Sequence, residues 1–548
     1  MTDTRPTQEG PDSSNTMKSI AVPRLIATKL HGRAFYESLG SPRKILAPMV
    51  DQSEFVWRLL TRSFVPPSQS RDLLSYTPMI HSRIFSTEIK HRHTIFQPVK
   101  VSSDGRERPH LDGNPDFDRP LFVQFCSNSP DHLLSAARHV QDHCDAVDLN
   151  LGCPQGIAKK GNYGAFLQED QPLIHSMIRT LHERLDIPVT AKIRVLQTKE
   201  QTLEYARMVL DAGASILTVH GRTRDQKGHK TGLADWEILR YLRDNLPPET
   251  VLFANGNILN HEDFESCLKA TGADAVMSAE GNLSDPSIFT DPPPADQHPR
   301  EYWRGRDGKG GWRMDAVLRR YLDMIHVHVL EAPPPTRQPL FIPSDLETLL
   351  ATQTLPTPSP TEPDSASPSA DEGPPAKRPK FEVPQPTTLA GTPSHTPGAE
   401  DQRLTPKQQT KRGRKVEIKD PNLIAMKPHF FHVLRHLVNR HHDVRDALAR
   451  CRTGDIPAYE AVLAMVEDRT RDGLLAYERG EDDGFDSGSV QGSVAAAGRV
   501  EAVRRPWFVC QPNVRPSVEQ AAEKGAITLG KRERRTSDVR EQTKVEQT

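Results

Sequence analysis

Short apolar runs alternate with helically spaced segments from residue 44 to about 290. The runs are KILAPM (44–49), LLSYT (73–77), LFVQF (121–125), AVDLN (146–150), VTAKIRV (189–195), ILTVH (216–220), VLFAN (251–255) and AVMSA (275–279). Runs of this length and make-up predict strands. Between most of them lie helical patterns: SEFVWRLLTRSF groups Phe55, Leu59 and Leu60, and QTLEYARMVLDAGA groups Leu203, Ala206, Val209 and Leu210. Strands alternating with helices predict βα units and a parallel sheet. Such units repeated over about 250 residues match the size of a TIM (β/α)8 barrel. A doubly wound open sheet competes, but it normally has fewer strands and a Gly-rich first turn, and no G-x-G-x-x-G follows the first run.

The flanks read differently. Residues 1–28 are expected to be a disordered leader, and 29–295 the barrel, opened by an amphipathic helix over 29–40 that Gly40 caps. The stretch 98–119 reads as a polar loop between the second helix and the third strand. After 300 the pattern becomes purely helical: WRMDAVLRRYLDMIHVHVL (312–330) places Val317, Tyr321, Ile325 and Val329 on one face. A helical domain is therefore expected from 296–332 together with 421–470. Between its halves, 333–420 is dense in Pro, Ser and Thr, and is expected to be a disordered insertion. The tail, 471–548, is expected to be mostly disordered apart from the apolar cluster RPWFVCQPNVRP (505–516).

Composition adds limits. The formal net charge of -1 gives no global polyanion-binding signal, so basic blocks must be read locally. A hydrophobic content of 36% and 47 prolines agree with unpacked length. The polar first residues lack a signal or transit pattern, and no apolar run approaches a membrane span, so a soluble intracellular protein is expected, with no membrane contact. The six cysteines form no C-x-x-C pair, so no metal site is expected, and most should be buried thiols. The basic runs PAKRPK (375–380) and KRGRK (411–415) resemble nuclear-import signals, which leaves cytoplasm and nucleus both open. Nothing calls for an oligomer, and a monomer is expected.

In a TIM barrel the chemistry lies at the C-terminal strand ends. Here those ends are polar after apolar runs: Met49 and Val50, Gln124, Asn150 to Cys153, Lys192 and Arg194, His220 and Arg222, Asn255-Gly256-Asn257, and Ala279-Glu280-Gly281. Packing alone does not explain polarity at nearly every strand end. The stretches KILAPMVDQSEFVWRLL, SYTPMIHSRIF, PLFVQFCSNSP, AVDLNLGCPQGIAKKGNYGAFL, VTAKIRV, TVHGRTRDQKG, FANGNI and SAEGNL resemble the tRNA-dihydrouridine synthase family, nearest its eukaryotic subgroup acting on D-loop positions 16 and 17. The likeness is strong over roughly 40–290 and extends to the helices at 312–330 and 421–470.

The resemblance implies an FMN-dependent reduction of the uridine C5=C6 bond in tRNA, with NADPH or NADH as electron donor. Such a reduction needs a hydride on one carbon and a proton on the other. Cys153, in a Gly-Cys-Pro turn after a strand, is the implied acid. Lys192, set among apolar residues, needs an anionic partner, and the family assigns it to FMN. Pro48, Met49, Val50, Gln124, His220, Asn255, Gly256, Asn257, Ala279 and Glu280 complete the implied cofactor set. Gln124 and His220 also suit plain structural roles. Many bacterial relatives carry Gly-Arg where this chain has Ala279-Glu280, and a carboxylate there would repel phosphate, leaving only its N–H to help. Asn150, Lys159, Lys160, Tyr163, Arg194, Arg222 and Arg224 are the implied substrate contacts, although charged loops are also commonly just solvated. Arginines of the helical region, Arg313, Arg319 and Arg320 among them, are expected to grip the tRNA backbone. Two other readings stay open: an FMN barrel that reduces a small ene-carbonyl or pyrimidine, and a tRNA-binding factor without catalysis.

Overall fold

The computed structural model describes residues 29–228, 231–297, 299–306, 308–346, 420–481 and 505–513. The leader 1–28, the basic runs at 375–380 and 411–415, and most of the insertion and tail lie outside the described residues. Each of the eight apolar runs forms a strand: β1 Lys44–Leu46, β2 Leu73–Tyr76, β3 Leu121–Cys126, β4 Ala146–Leu151, β5 Val189–Arg194, β6 Leu217–His220, β7 Leu252–Asn255 and β8 Ala275–Ser278. All pair in parallel, β8 against β1 and β2 against β3, so the sheet closes on itself. The inward-facing residues Tyr76, Asp148, Thr190 and Thr218 are fully buried, making a packed core instead of a pore.

The outer helices include α1 Phe55–Arg62, α2 Ser82–Thr87, α3 Pro130–Arg138, α4 Gln171–Arg184, α5 Lys199–Asp211, α6 Trp236–Asn245, α7 Asp263–Thr271 and the short α8 Glu280–Ser284. Local chemistry sets several starts: the side chains of Ser129, Asp170, Thr198 and Asp235 each accept an N–H in the first turn that follows. The helix before β1 spans Gly32–Ser38, and Gly40 follows it at φ +93, the left-handed turn expected of that glycine.

Three expectations change, and the apolar cluster set apart in the tail is found packed. The stretch 98–119 is not a plain polar loop. It holds an antiparallel ribbon, Val99–Val101 with Glu107–Pro109, and then turns inward at Asp112 and Asp118. Both carboxylates bond the fully buried Arg58 of α1, at 2.9 and 2.6 Å. The region after 300 is not purely helical, because Tyr302–Arg304 and Gly310–Trp312 form a hairpin ahead of α9 Met314–Met324. The order also runs past 333: Arg337 pairs with Glu460 at 2.8 Å and with Asp323, and Leu340 is buried. In the tail, Trp507, Phe508, Val509 and Cys510 are buried. Val509 bridges Arg313, and Gly473 leaves room for the Trp507 and Phe508 rings, which an added Cβ would meet at 2.8 and 2.7 Å.

The later helices are α10 Pro421–Val433, α11 Arg435–Arg440, α12 His442–Arg450 and α13 Ile456–Glu478. They belong with the barrel to one compact unit. The α9 helix packs against both α1 and α13. Several arginines expected on RNA are spent inside this packing: Arg313 is buried on Asp315, Arg319 pairs with Glu467 and Arg320 with Glu301. No helix among the described residues is long and apolar enough to cross a membrane.

Candidate active site at the barrel rim

Strand register fixes which side chains share the rim. Asn150 lies beside Lys192, Arg194 beside His220, and His220 beside Asn255. Period-two alternation turns each of these inward. Below them sits a polar layer that joins the expected Gln124 to Asp148 and Thr190, which the expected site did not include. Gln124 Nε2 donates to Asp148 Oδ2 at 2.8 Å, and Thr190 Oγ1 donates to Asp148 Oδ1 at 2.6 Å. Burial pushes Asp148 up to about 6, against the hydrogen bonds from Thr190 and Gln124 that hold it ionised. The signal for Asp148 was its place two residues before Asn150 on the same inward face. Gln124 Oε1 in turn accepts from Asn150 Nδ2 at 2.8 Å, so this layer orients Asn150.

Asn150 holds the thiol loop. Its Oδ1 accepts the N–H of Gly152 at 3.1 Å and of Cys153 at 2.9 Å. Gly164, at φ +65, passes so close that an added Cβ would lie 2.8 Å from the Cys153 carbonyl oxygen. Of the six cysteines, Cys153 alone is not buried. Cys126, Cys144 and Cys267 are packed inside, and burial drives each thiol pKa upward.

On the neighbouring strands β5 and β6 stands a group of cations. Lys192 Nζ donates to Asn255 Oδ1 at 2.9 Å, and Asn255 Nδ2 donates to the Met277 carbonyl. Burial, with Arg194 alongside, lowers Lys192 to about 7. Arg194 donates to the carbonyls of Gly152 and Thr223 at 2.7 and 2.9 Å, which ties the thiol loop to the loop after β6. Burial and the nearby Lys192, Arg194 and Arg222 hold His220 well below the usual histidine range. Its Nε2 accepts from Arg222 Nη1 at 3.0 Å, so the ring proton sits on Nδ1. Arg222 also donates to Asn257 Oδ1 at 2.9 Å. Gly256, at φ +118, lies where a Cβ would come 2.5 Å from Ala234 and 3.2 Å from the His220 ring.

The remaining residues fall into place unevenly. Pro48 is half-buried, Met49 buried and Val50 54% exposed at the end of β1. Ala279 and Glu280 open α8, with Glu280 facing solvent. Lys159 and Lys160 are exposed on the short helix Gly156–Gly161 beside the thiol. Tyr163 is buried in a cluster with Cys126 and Ala158 against which Cys153 packs, and stands edge-on to His81. Arg224 pairs with Glu169 at 2.7 Å over the Phe166 ring, so it braces the loop.

The donor set fits a phosphate-bearing flavin. A half-buried ammonium and two arginines gather, with Asp148 below as a charged neighbour of Lys192 but, among the described residues, no carboxylate at hydrogen-bond distance from Lys192 or Arg194, and Gly256 keeps a backbone approach clear. A hollow of about 560 Å³ elsewhere, lined by Phe85, Arg92, Phe96, His110 and Glu331, shares none of these residues.

The sequence profile of the family described as dihydrouridine synthase (Dus) matches residues 45–308. A Saccharomyces cerevisiae protein named tRNA-dihydrouridine(16/17) synthase, NAD(P)+, is 57% identical over 48% of this chain and 57% of its own length. The Schizosaccharomyces pombe protein of that name is 49% identical over 56% of this chain and 69% of its own. A Mus musculus protein with the same name, styled "-like", is 47% identical over 49% and 52%. The match thus spans little more than half of the first and third of these relatives. A solved mandelate oxidase is 16% identical over 43% of this chain and 64% of its own, with a TM-score of 0.28, too little overlap to carry an argument.

Proposed function

Because this chain belongs to the dihydrouridine synthase family, we propose that it reduces the C5=C6 bond of uridine in the D-loop of tRNA, at positions 16 and 17, using FMN and NAD(P)H. The observation that carries the reading is Cys153, the one thiol that is not buried, placed on the rim beside a cationic cradle on the neighbouring strands.

Lys192, Gln124, His220 and the turn Asn255-Gly256-Asn257 would hold the flavin, with Pro48 to Val50 on the β1 side and the backbone of Ala279 and Glu280 nearby. When bound, the flavin supplies the hydride for uracil C6. Cys153 Sγ holds the proton for C5 on the opposite face of the base. Asn150 and Gly164 fix where that sulfur stands. Lys192 opposes negative charge on the flavin ring system. A uridine must leave the RNA stack to reach such a rim, and the exposed Lys159 and Lys160 suit the flanking phosphates.

The test supplies the purified full chain with FMN, NADPH and unmodified tRNA, then maps dihydrouridine along the product. Reduction at 16 and 17 supports the assignment. Reduction at other positions moves the specificity, and an unreduced tRNA overturns the activity.

A further inference from the structure

The α1 helix begins without help from its own sequence. Its N-cap residue is Glu54, yet the Glu54 side chain makes no capping bond to the helix. One of the first free N–H groups, that of Val56, instead donates to Asn422 Oδ1 of α10 at 3.0 Å. The Glu54 carboxylate turns away and takes His429 Nε2, also on α10, with both oxygens at 3.0 Å. His429 and Glu54 are 0% and 1% exposed. The His429 ring lies flat on Trp57, with centroids 3.9 Å apart and 7° between planes. Trp57 Nε1 donates to Asn282 Oδ1 of α8 at 2.7 Å.

These contacts run to both loops that flank the cofactor side of the rim. Glu54 directly follows the tight turn Met49–Ser53, in which Asp51 has φ +56 and Ser53 Oγ accepts the Met49 N–H at 3.0 Å. Asn282 lies two residues after Glu280. A buried carboxylate and imidazole are a costly way merely to fill space, since apolar residues of similar volume commonly pack there at no loss of stability. Their directional bonds fix geometry, which apolar contacts would not do.

We propose that Glu54 and His429, with Asn422, are positioning residues that hold the β1–α1 turn and α8 in the geometry that binds flavin. On this view α10 completes the cofactor side of the site in addition to extending the surface open to tRNA. The inference rests on the flavin reading of the rim.

The test uses the full chain in two variants. Glu54→Leu with His429→Phe replaces the polar pair by apolar side chains and keeps a ring on Trp57. Asn422→Ala removes the cap from α10, together with the local Asn422 Nδ2 bond to Asp420, and leaves the Glu54–His429 pair in place. FMN affinity is read by fluorescence titration, stability by thermal melting, and turnover as kcat and KM for tRNA. The double variant should melt close to the wild type, yet bind FMN about tenfold more weakly and lose about tenfold in kcat, with KM for tRNA within about twofold. Asn422→Ala should speed amide hydrogen exchange over 49–56 and weaken FMN binding about threefold. Wild-type FMN affinity in both variants overturns the proposal and leaves the cluster as packing alone. Should the double variant fail to fold, Asn422→Ala decides by the same criteria. A wild-type protein that binds no FMN overturns the flavin reading itself, and this inference with it.

Discussion

Lys192 carries an electrostatic load that makes it testable by pH. Burial and Arg194 hold it near 7 in the free protein, and a bound anion would raise it. Below about 7 both states are protonated and affinity is flat. Above 7 the bound state takes up a proton that the free state lacks, so FMN affinity should fall as pH rises, by up to about tenfold per unit. Lys192→Met should bind more weakly at neutral pH and lose that dependence in FMN titrations from pH 6 to 9. A wild-type affinity that rises with pH contradicts the assignment. The sequence showed Lys192 and Cys153 because each breaks a local pattern, an ammonium within an apolar strand and a thiol in a Gly-Cys-Pro turn. It could not show that Tyr163 packs inward or that Arg224 is held by Glu169, since both depend on partners in folded loops.

At the scale of elements, the strands were legible because each apolar run is short and bounded, and most are followed by a helical spacing. The polar stretches were not. Asp112 and Asp118 look like loop residues until Arg58, more than fifty positions earlier, is brought against them. Asp118 accepts from Arg58 Nε at 2.9 Å, from Nη2 at 2.6 Å and from the Gly113 N–H at 2.8 Å. Arg58 Nη1 also donates to the Ser53 carbonyl, joining the 111–118 segment to the β1–α1 turn. Removing one partner of a buried pair leaves the other charge unmatched. Asp118→Ala should therefore lose about 3–5 kcal/mol in urea denaturation, whereas an exposed control such as Asp104→Ala should change little. Equal effects of the two would remove the network from the account of this loop. The hairpin at 302–312 was missed for a similar reason, because its packing partners lie far along the chain, and the apolar strip at 505–513 was visible without showing where it packs.

For the molecule as a whole, the barrel and the helices beyond residue 300 share one core. Trp57 of α1, Tyr321 of α9 and His429 and Phe430 of α10 pack ring against ring. The helical pattern alone suggested a separable attachment, because amphipathic spacing shows that a face is buried without showing against what. Deleting 420–481 should expose these rings and leave a barrel that aggregates or melts at markedly lower temperature, as gel filtration and thermal melting would report. A soluble truncated barrel with wild-type melting contradicts the shared core. At the centre stands the proposed role of Cys153, a proton donor on the rim beside a flavin cradle. Its most direct measurement compares wild type with Cys153→Ala, following flavin reduction by NADPH and dihydrouridine formation in tRNA in the same sample. Flavin reduction should be unchanged and dihydrouridine formation should fall by about 10²-fold or more. Wild-type dihydrouridine formation in Cys153→Ala would contradict the account.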